Sequence, residues 1–230
     1  MNDLLPIAVA VTCGYLVGSV PTAYLVARWM RGIDIRRYGS GNVGASNVGQ
    51  HVGGAFFVLV AAFDAFVKGS GSVLLARVLG LDLPYQAVAA LLAVVGHNWS
   101  AYLRFSGGRG LTVVTGALLV LAWKEAVASL AVFFLGWLVF RNGALWSGIA
   151  VVLLPLWALL LGGPPTIVLL CVALLVITAM KRLLANPGTG APGFRWRDVA
   201  LYRLLYDRDT LRESDWVDRK PEGADHKSNG

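Results

Sequence analysis

Long apolar runs separated by short polar joints constrain this chain more than any other feature. A bilayer core about 30 Å thick is crossed by about 20 helical residues. Seven runs approach that pattern: 4–29, 52–79, 85–103, 111–123, 126–140, 143–161 and 166–180. With 57% hydrophobic and only 14% charged residues, the chain is too apolar for a soluble domain of 230 residues. The expectation is an all-α, polytopic integral membrane bundle of about seven transmembrane helices over 1–184, with a cytoplasmic tail over 185–230. The runs at 111–123, 126–140 and 166–180 are short, so five or six full crossings also satisfy the pattern.

Passing the runs alternately through a bilayer collects Arg28, Arg31, Arg36, Arg37, Arg104, Arg109, Arg141, Lys181 and Arg182 on one side, against Arg77 and Lys124 on the other. The positive-inside bias then places the N-terminus outside and the C-terminus in the cytoplasm. The first run has no basic segment before it and ends in arginines, so it reads as a retained span and not as a cleaved leader. Cys13 and Cys171 lie in apolar runs and read as packed thiols. Two such cysteines, with His51, His97 and His226 scattered, give no metal site. After Leu184 there are eight basic and eight acidic residues, so the net charge of +7 belongs to the apolar part. Within 196–211, Val199, Leu201, Leu204 and Leu205 recur at helical spacing, which predicts a short amphipathic helix on the cytoplasmic surface; disorder is expected beyond Lys220. Trp29, Trp99, Trp123 and Trp146 fall near run ends, as interface anchors do. No nucleic-acid partner is implied, and protein partners cannot be read.

Three polar features need an explanation. The stretch 36–50, RRYGSGNVGASNVGQ, carries Arg36, Arg37, Ser40, Asn42, Ser46 and Asn47 with glycines at 39, 41, 44 and 49. Such a sequence belongs at the membrane surface, where backbone N–H groups freed by glycine and flanked by arginine form a concavity for a phosphate. The second feature is the turn Gly107, Gly108, Arg109, Gly110 at a helix start, which is either an ordinary basic joint or a second anion site. The third is Asp64 with Lys68, four residues apart in an apolar run: an ion pair locking helices, or a lysine long enough to reach a bound phosphate. His97 precedes the second turn and is either a structural or a catalytic histidine, and Ser19 with Pro21 marks close packing, a local break or part of a site.

Taken in order, GSGNVGASN, then GH with a GGRG turn, then KRLL after the last run, the chain resembles the bacterial acyl-phosphate:glycerol-3-phosphate acyltransferases. The likeness runs from about Gly14 to Leu184 and includes Gly18, Ser19 and Pro21, the 34–36 triplet, and Asp64, Lys68 and Gly69. It implies a multi-pass enzyme of the bacterial cell membrane, with cytoplasmic active-site loops. The implied reaction moves a fatty acyl group from acyl phosphate to sn-glycerol 3-phosphate, giving lysophosphatidic acid and phosphate without cofactor or metal. By resemblance Ser19, Lys68, His97 and Arg109 are catalytic, while Arg36, Gly39, Ser40, Gly41, Asn42, Gly44, Asn47, Gly107, Gly108, Gly110 and Arg182 bind substrate phosphate. The chain departs from the family pattern at Gln50, where an arginine is usual, and in VITAMKRLLANPG, where apolar Val176 and Ala179 replace a polar pair and only Arg182, Leu183 and Leu184 match. Two further readings stay open: a non-catalytic headgroup-binding paralogue, and an acyltransferase with another acceptor. A transporter built on Asp64 and Lys68 is the weakest reading.

Overall fold

The computed structural model describes residues 4–184 and 196–207, and all of its regular structure there is helical. Helices α1 (Leu4–Ser19) and α2 (Thr22–Arg31) form one run broken at Val20 and Pro21, where the proline has no N–H to continue the ladder. After a short 3₁₀ turn (Ile35–Arg37) and a glycine loop come α3 (Ala45–His51), α4 (Gly54–Ala62), a π-helical segment (Phe63–Ser70) and α5 (Gly71–Val78), the last three making one rod. Then follow α6 (Leu83–Asn98), α7 (Leu111–Leu121), α8 (Trp123–Phe140), α9 (Gly143–Val152), α10 (Leu154–Leu160), α11 (Pro165–Leu183) and α12 (Trp196–Tyr206).

By length and composition, Leu4–Arg31, Gly54–Val78, Trp123–Phe140 and Pro165–Leu183 can each cross a bilayer, and the α9–α10 pair, bent by 41°, makes a fifth candidate among the described residues. Pro155 at the start of α10 accounts for that bend. Helices α6 and α7, at 16 and 11 residues, are apolar but short. The seven apolar runs are thus all helical, yet only four or five reach spanning length.

Small residues bring the helices together. A Cβ on Gly14 would stand 2.8 Å from the Ala89 carbonyl oxygen, and one on Gly18 would be 2.7 Å from Ala93 Cα, so α1 lies backbone to backbone on α6. Gly116 of α7 meets Ala65 in the same way, and Gly69 meets Val113 and Ala117. Ser70 Oγ donates to Gly116 O at 2.8 Å across that contact. A separate apolar cluster of Val26, Ala27, Ile35, Val43, Val48 and Val60 lies beneath the first glycine loop and anchors it.

The 36–50 stretch is not loop throughout. Its second half is α3, capped by extended Gly44; Gly49 stays helical because its bare Cα lets Phe57 pack within 3.0 Å of where a Cβ would be. A helix, α12, occupies 196–206 of the segment expected to hold an amphipathic tail helix, and the expected disorder beyond Lys220 lies outside the described residues.

Candidate active site

The site begins with a buried charge in the middle of a rod. Asp64 and Lys68 lie on the π segment, each 1% exposed, with Lys68 Nζ 2.6 Å from Asp64 Oδ1. Apolar surroundings tolerate such a charge only when it is paired and hydrogen-bonded. Thr22 Oγ1 adds a 3.4 Å donation to the same carboxylate, and His97 Nδ1 stands 3.4 Å from Lys68 Nζ and 3.7 Å from Asp64 Oδ2. Lys68 therefore does not snorkel outward: its ammonium folds onto Asp64 and the imidazole. Short π segments inside α-helices recur at functional sites.

His97 joins this cluster to the glycine turns. Its Nε2 faces the bare Cα of Gly108, where a side chain would collide with both the ring and the Val43 carbonyl. Gly108 N donates to His97 O at 3.0 Å, and Val43 N donates to Gly107 O at 3.4 Å, so the two glycine loops are bonded to one another above the imidazole. Gly39, Gly41 and Gly110 take left-handed φ values of 51°, 66° and 74°, which only glycine adopts freely. Asn42 N donates to Ser40 Oγ at 3.2 Å. Asn47 is buried and its Nδ2 is directed at the carbonyls of Ile35, Tyr38 and Asn42 at 3.0–3.2 Å, so it closes the loop on itself.

Ser19 is equally buried. Its carbonyl accepts from Ser100 Oγ at 2.5 Å and its Oγ accepts from Ala101 N at 3.5 Å, tying the end of α1 to the segment that follows α6. Arg109, also buried, donates from Nη1 to Lys181 O at 3.2 Å, and its Nε lies 2.7 Å from Asp207 Oδ1. Lys181 Nζ stands 5.4 Å over the ring of Trp99. Trp99, read from sequence as an interface anchor, thus belongs to the site's wall.

Ser19, Lys68, His97, Gly107, Gly108, Gly110 and Arg109 gather at one end of the bundle, with Gly39, Ser40, Gly41, Asn42, Gly44 and Asn47 joined to them through Val43. Arg36 and Arg182 are engaged elsewhere. Asp34 accepts Arg36 Nη2 at 2.6 Å and Nε at 2.9 Å, and the guanidinium lies 5.2 Å over Tyr24. These bonds hold the Asp34 carboxyl below its ordinary range and raise Arg36 above its own. Arg182 donates to Leu204 O at 2.7 Å, Ala144 O at 2.9 Å and Ser147 Oγ at 2.9 Å, which staples α9, α11 and α12 together. Beside it opens an apolar cavity of about 340 Å³ lined by Ile149, Leu175, Ala179, Leu204 and Leu205 among others.

Sequence reasoning passed over Thr22, Asn98 and Asp207. Asn98 is fully buried against Gly110, and neither atom of its amide has a protein partner. A polar residue next to His97 was the available signal for it. Asp207 gave none, being one acid in a charge-balanced tail.

The two glycine turns with a buried guanidinium, over an ion pair and an imidazole, make a polar cluster of the kind that can hold a phosphate, and the apolar cavity beside Arg182 is lined by none of these residues. The Glycerol-3-phosphate acyltransferase family model matches residues 8–186. Glycerol-3-phosphate acyltransferase 4 of Dehalococcoides mccartyi (strain CBDB1) is 38% identical over 225 residues, covering 95% of each chain. Glycerol-3-phosphate acyltransferase 2 of Moorella thermoacetica is 49% identical over 131 residues, 56% of this chain and 63% of the relative. Among solved structures, the glycerol 3-phosphate form of PlsY, an integral membrane glycerol 3-phosphate acyltransferase, superposes with a TM-score of 0.74 at 26% identity, covering 92% of this chain and 98% of that one. Its lysophosphatidic acid form gives 0.72 at 25% identity, covering 92% and 97%. A match over most of the length, in sequence and in three dimensions, means that this integral membrane chain belongs to the glycerol-3-phosphate acyltransferase family.

Proposed function

We propose that the chain transfers a fatty acyl group from an acyl phosphate to the 1-hydroxyl of sn-glycerol 3-phosphate, yielding lysophosphatidic acid and inorganic phosphate. The observation that carries this reading is the Val43 to Gly107 bond, which unites two glycine-rich turns over His97 with Arg109 beside them. Two phosphorylated substrates need two anion-binding turns next to each other, and one turn alone would serve only one of them. An acyl phosphate is already activated, so the protein must chiefly orient the two substrates and neutralise charge. The acceptor oxygen bonds to the acyl carbon, the carbon–oxygen bond to phosphate breaks, and phosphate leaves. The hydroxyl proton passes to the departing phosphate, while His97, whose Nδ1 accepts from the Lys68 ammonium and whose Nε2 therefore carries the ring proton beside Gly108, orients the second turn. Arg109 and the two turns grip the phosphates, Lys68 keeps the imidazole's electrostatic setting, Ser19 and Asn47 hold the loops in register, and the apolar cavity takes the acyl tail. Arg36 and Arg182 shape the mouth through their protein partners.

The same reading has the protein cross a bacterial cell membrane seven times, N-terminus outside, with this end in the cytoplasm. Its support is that the joints fall into two groups. Val43 meets Gly107, Arg109 meets Lys181 and Arg182 meets Ala144 at one end. At the other, Arg77 meets Val120 and the 121–125 joint lines one cavity with the 161–164 joint.

Purified protein in vesicles is expected to release phosphate from palmitoyl phosphate only when glycerol 3-phosphate is present. No release would remove the enzyme reading for these substrates. Apolar Val176 and Ala179 favour a second reading, headgroup binding without turnover, and binding of glycerol 3-phosphate with no product would select it. Turnover with a different polyol phosphate alone would instead select an altered acceptor.

A further inference from the structure

The family model ends at residue 186, yet a group beyond it touches the centre of the second anion turn. Asp207, just after α12, places Oδ1 2.7 Å from Arg109 Nε, and the side chains are 8% and 16% exposed for Arg109 and Asp207 respectively. Helix α12 is fastened where it lies: Arg182 donates to Leu204 O and Arg203 donates to Leu183 O, both at 2.7 Å, and Val199 is buried. At its end Asp207 adopts a left-handed φ of 53° while its N–H still bonds Arg203 O at 3.1 Å, so the chain leaves the helix there.

We propose that Asp207 is a positioning residue for Arg109, so that the helix following the family's matched span completes the phosphate site. A buried ion pair contributes little net stability, because desolvation offsets most of its attraction; what it does supply is orientation. A guanidinium grips a phosphate or a carboxylate bidentately, either through its two outer Nη groups or through Nε with one Nη, as Asp34 holds Arg36. Asp207 Oδ1 meets Arg109 at Nε as a charge contact that is not aligned as a hydrogen bond, while Lys181 O accepts one Nη1 proton. One ion-pair contact and one hydrogen bond, from different elements, thus hold the guanidinium in place. The ligand they prepare it for is a phosphomonoester or an acyl phosphate.

The inference rests on Arg109 gripping substrate phosphate, as in the proposed function, and the experiment distinguishes the two. Full-length wild type, D207A, D207N, D207E, R109A and R109A/D207A are reconstituted in vesicles, and phosphate release from palmitoyl phosphate is followed against the concentration of each substrate. D207A and D207N are expected to raise KM for a phosphorylated substrate about tenfold with a smaller change in kcat, D207E to recover most of the loss, and D207A to add nothing once Arg109 is gone. Using one truncation, one isosteric neutralisation and one extension of Asp207 keeps the test alive if one variant unfolds in its melting curve. Wild-type kinetics or a lower KM in D207A would overturn the proposal, the latter marking Asp207 as a shield over Arg109. Effects that add to those of R109A would overturn it too. Were wild type to release no phosphate, the function would fail alone; the same variants would then be read by calorimetric binding of glycerol 3-phosphate, where a tenfold weaker Kd in D207A sustains the positioning role and an unchanged Kd, or no binding by wild type, ends it.

Discussion

At the scale of single residues, the site is governed by which cations already have a partner. Arg109 is tied by one Nη1 hydrogen bond to Lys181 O and by a charge contact of its Nε with Asp207. A hydrogen bond between charged groups is worth about 1.5–3 kcal/mol, so R109A is expected to lower kcat/KM by roughly 10- to 200-fold, and R109K, which keeps the charge but not the fork, by less. Steady-state phosphate release measures both. Asp34 is a different case, since its partner Arg36 lies in the loop itself. Its folded pKa is depressed, so the stability it contributes is fully present above the ordinary carboxylate range and is lost as pH falls through the lower folded value. Protection factors of the 34–38 backbone amides, exchange rates taken relative to the intrinsic rate at each pH, should therefore be flat from pH 8 to about 5 and fall only in stronger acid, and D34N should abolish the acid-dependent fall. The glycines and Arg109 were legible because their residue types are costly where they stand. Asp207 was not, because a tertiary contact between distant segments leaves no mark on local composition.

At the scale of elements, the rod carrying Asp64 and Lys68 depends on two things, the pairing of its charges and the smallness of its neighbours. Removing the acid strands a buried ammonium: D64A should destabilise the protein by about 3–5 kcal/mol, whereas D64A combined with K68M should regain most of that stability while remaining inactive. Thermal unfolding in detergent together with phosphate release reads both halves of this expectation. Against the rod lies Gly116, whose missing Cβ would press into Ala65 O. Backbone atoms cannot yield as a flexible side chain would, so G116A should cost about 1–3 kcal/mol by overpacking, although alanine is the better helix former by about 1 kcal/mol. The apolar runs revealed where these helices lie, because hydrophobic length is what a bilayer demands, although the 85–103 run overshoots the end of α6 at Asn98. The π segment was hidden, since an extra residue per turn leaves Asp64 and Lys68 four apart just as an α-helix does. The helical half of 36–50 was hidden for another reason: glycine counts against a helix locally, and only the packing of Phe57 on Gly49 reverses the balance.

At the scale of the whole molecule, the open question is how often the chain crosses the bilayer, because helix length and helix arrangement point to different counts. Length gives four or five crossings. Helix α7, with 11 residues, is about 16 Å long and falls well short of a hydrocarbon core of about 30 Å. Yet the contacts sort the joints into two ends in strict alternation, and an unbroken alternation requires every apolar run, α6 and α7 included, to travel from one end to the other. A short helix between full-length neighbours can do so if the joint at Ala122 is sheltered by protein or the bilayer thins around it. On the proposed topology, the charge asymmetry puts the basic end, which holds Arg109, Lys181 and Arg182, in the cytoplasm. In a background lacking Cys13 and Cys171, cysteines introduced at Ser40 and Arg104 should react with a membrane-impermeant maleimide only after the cells are opened, while those at Asp82 and Lys124 should react in intact cells. If Asp82 and Lys124 report from the same side as Ser40, the chain does not cross between them, and if Ser40 reacts in intact cells the cytoplasmic placement of the glycine turns fails.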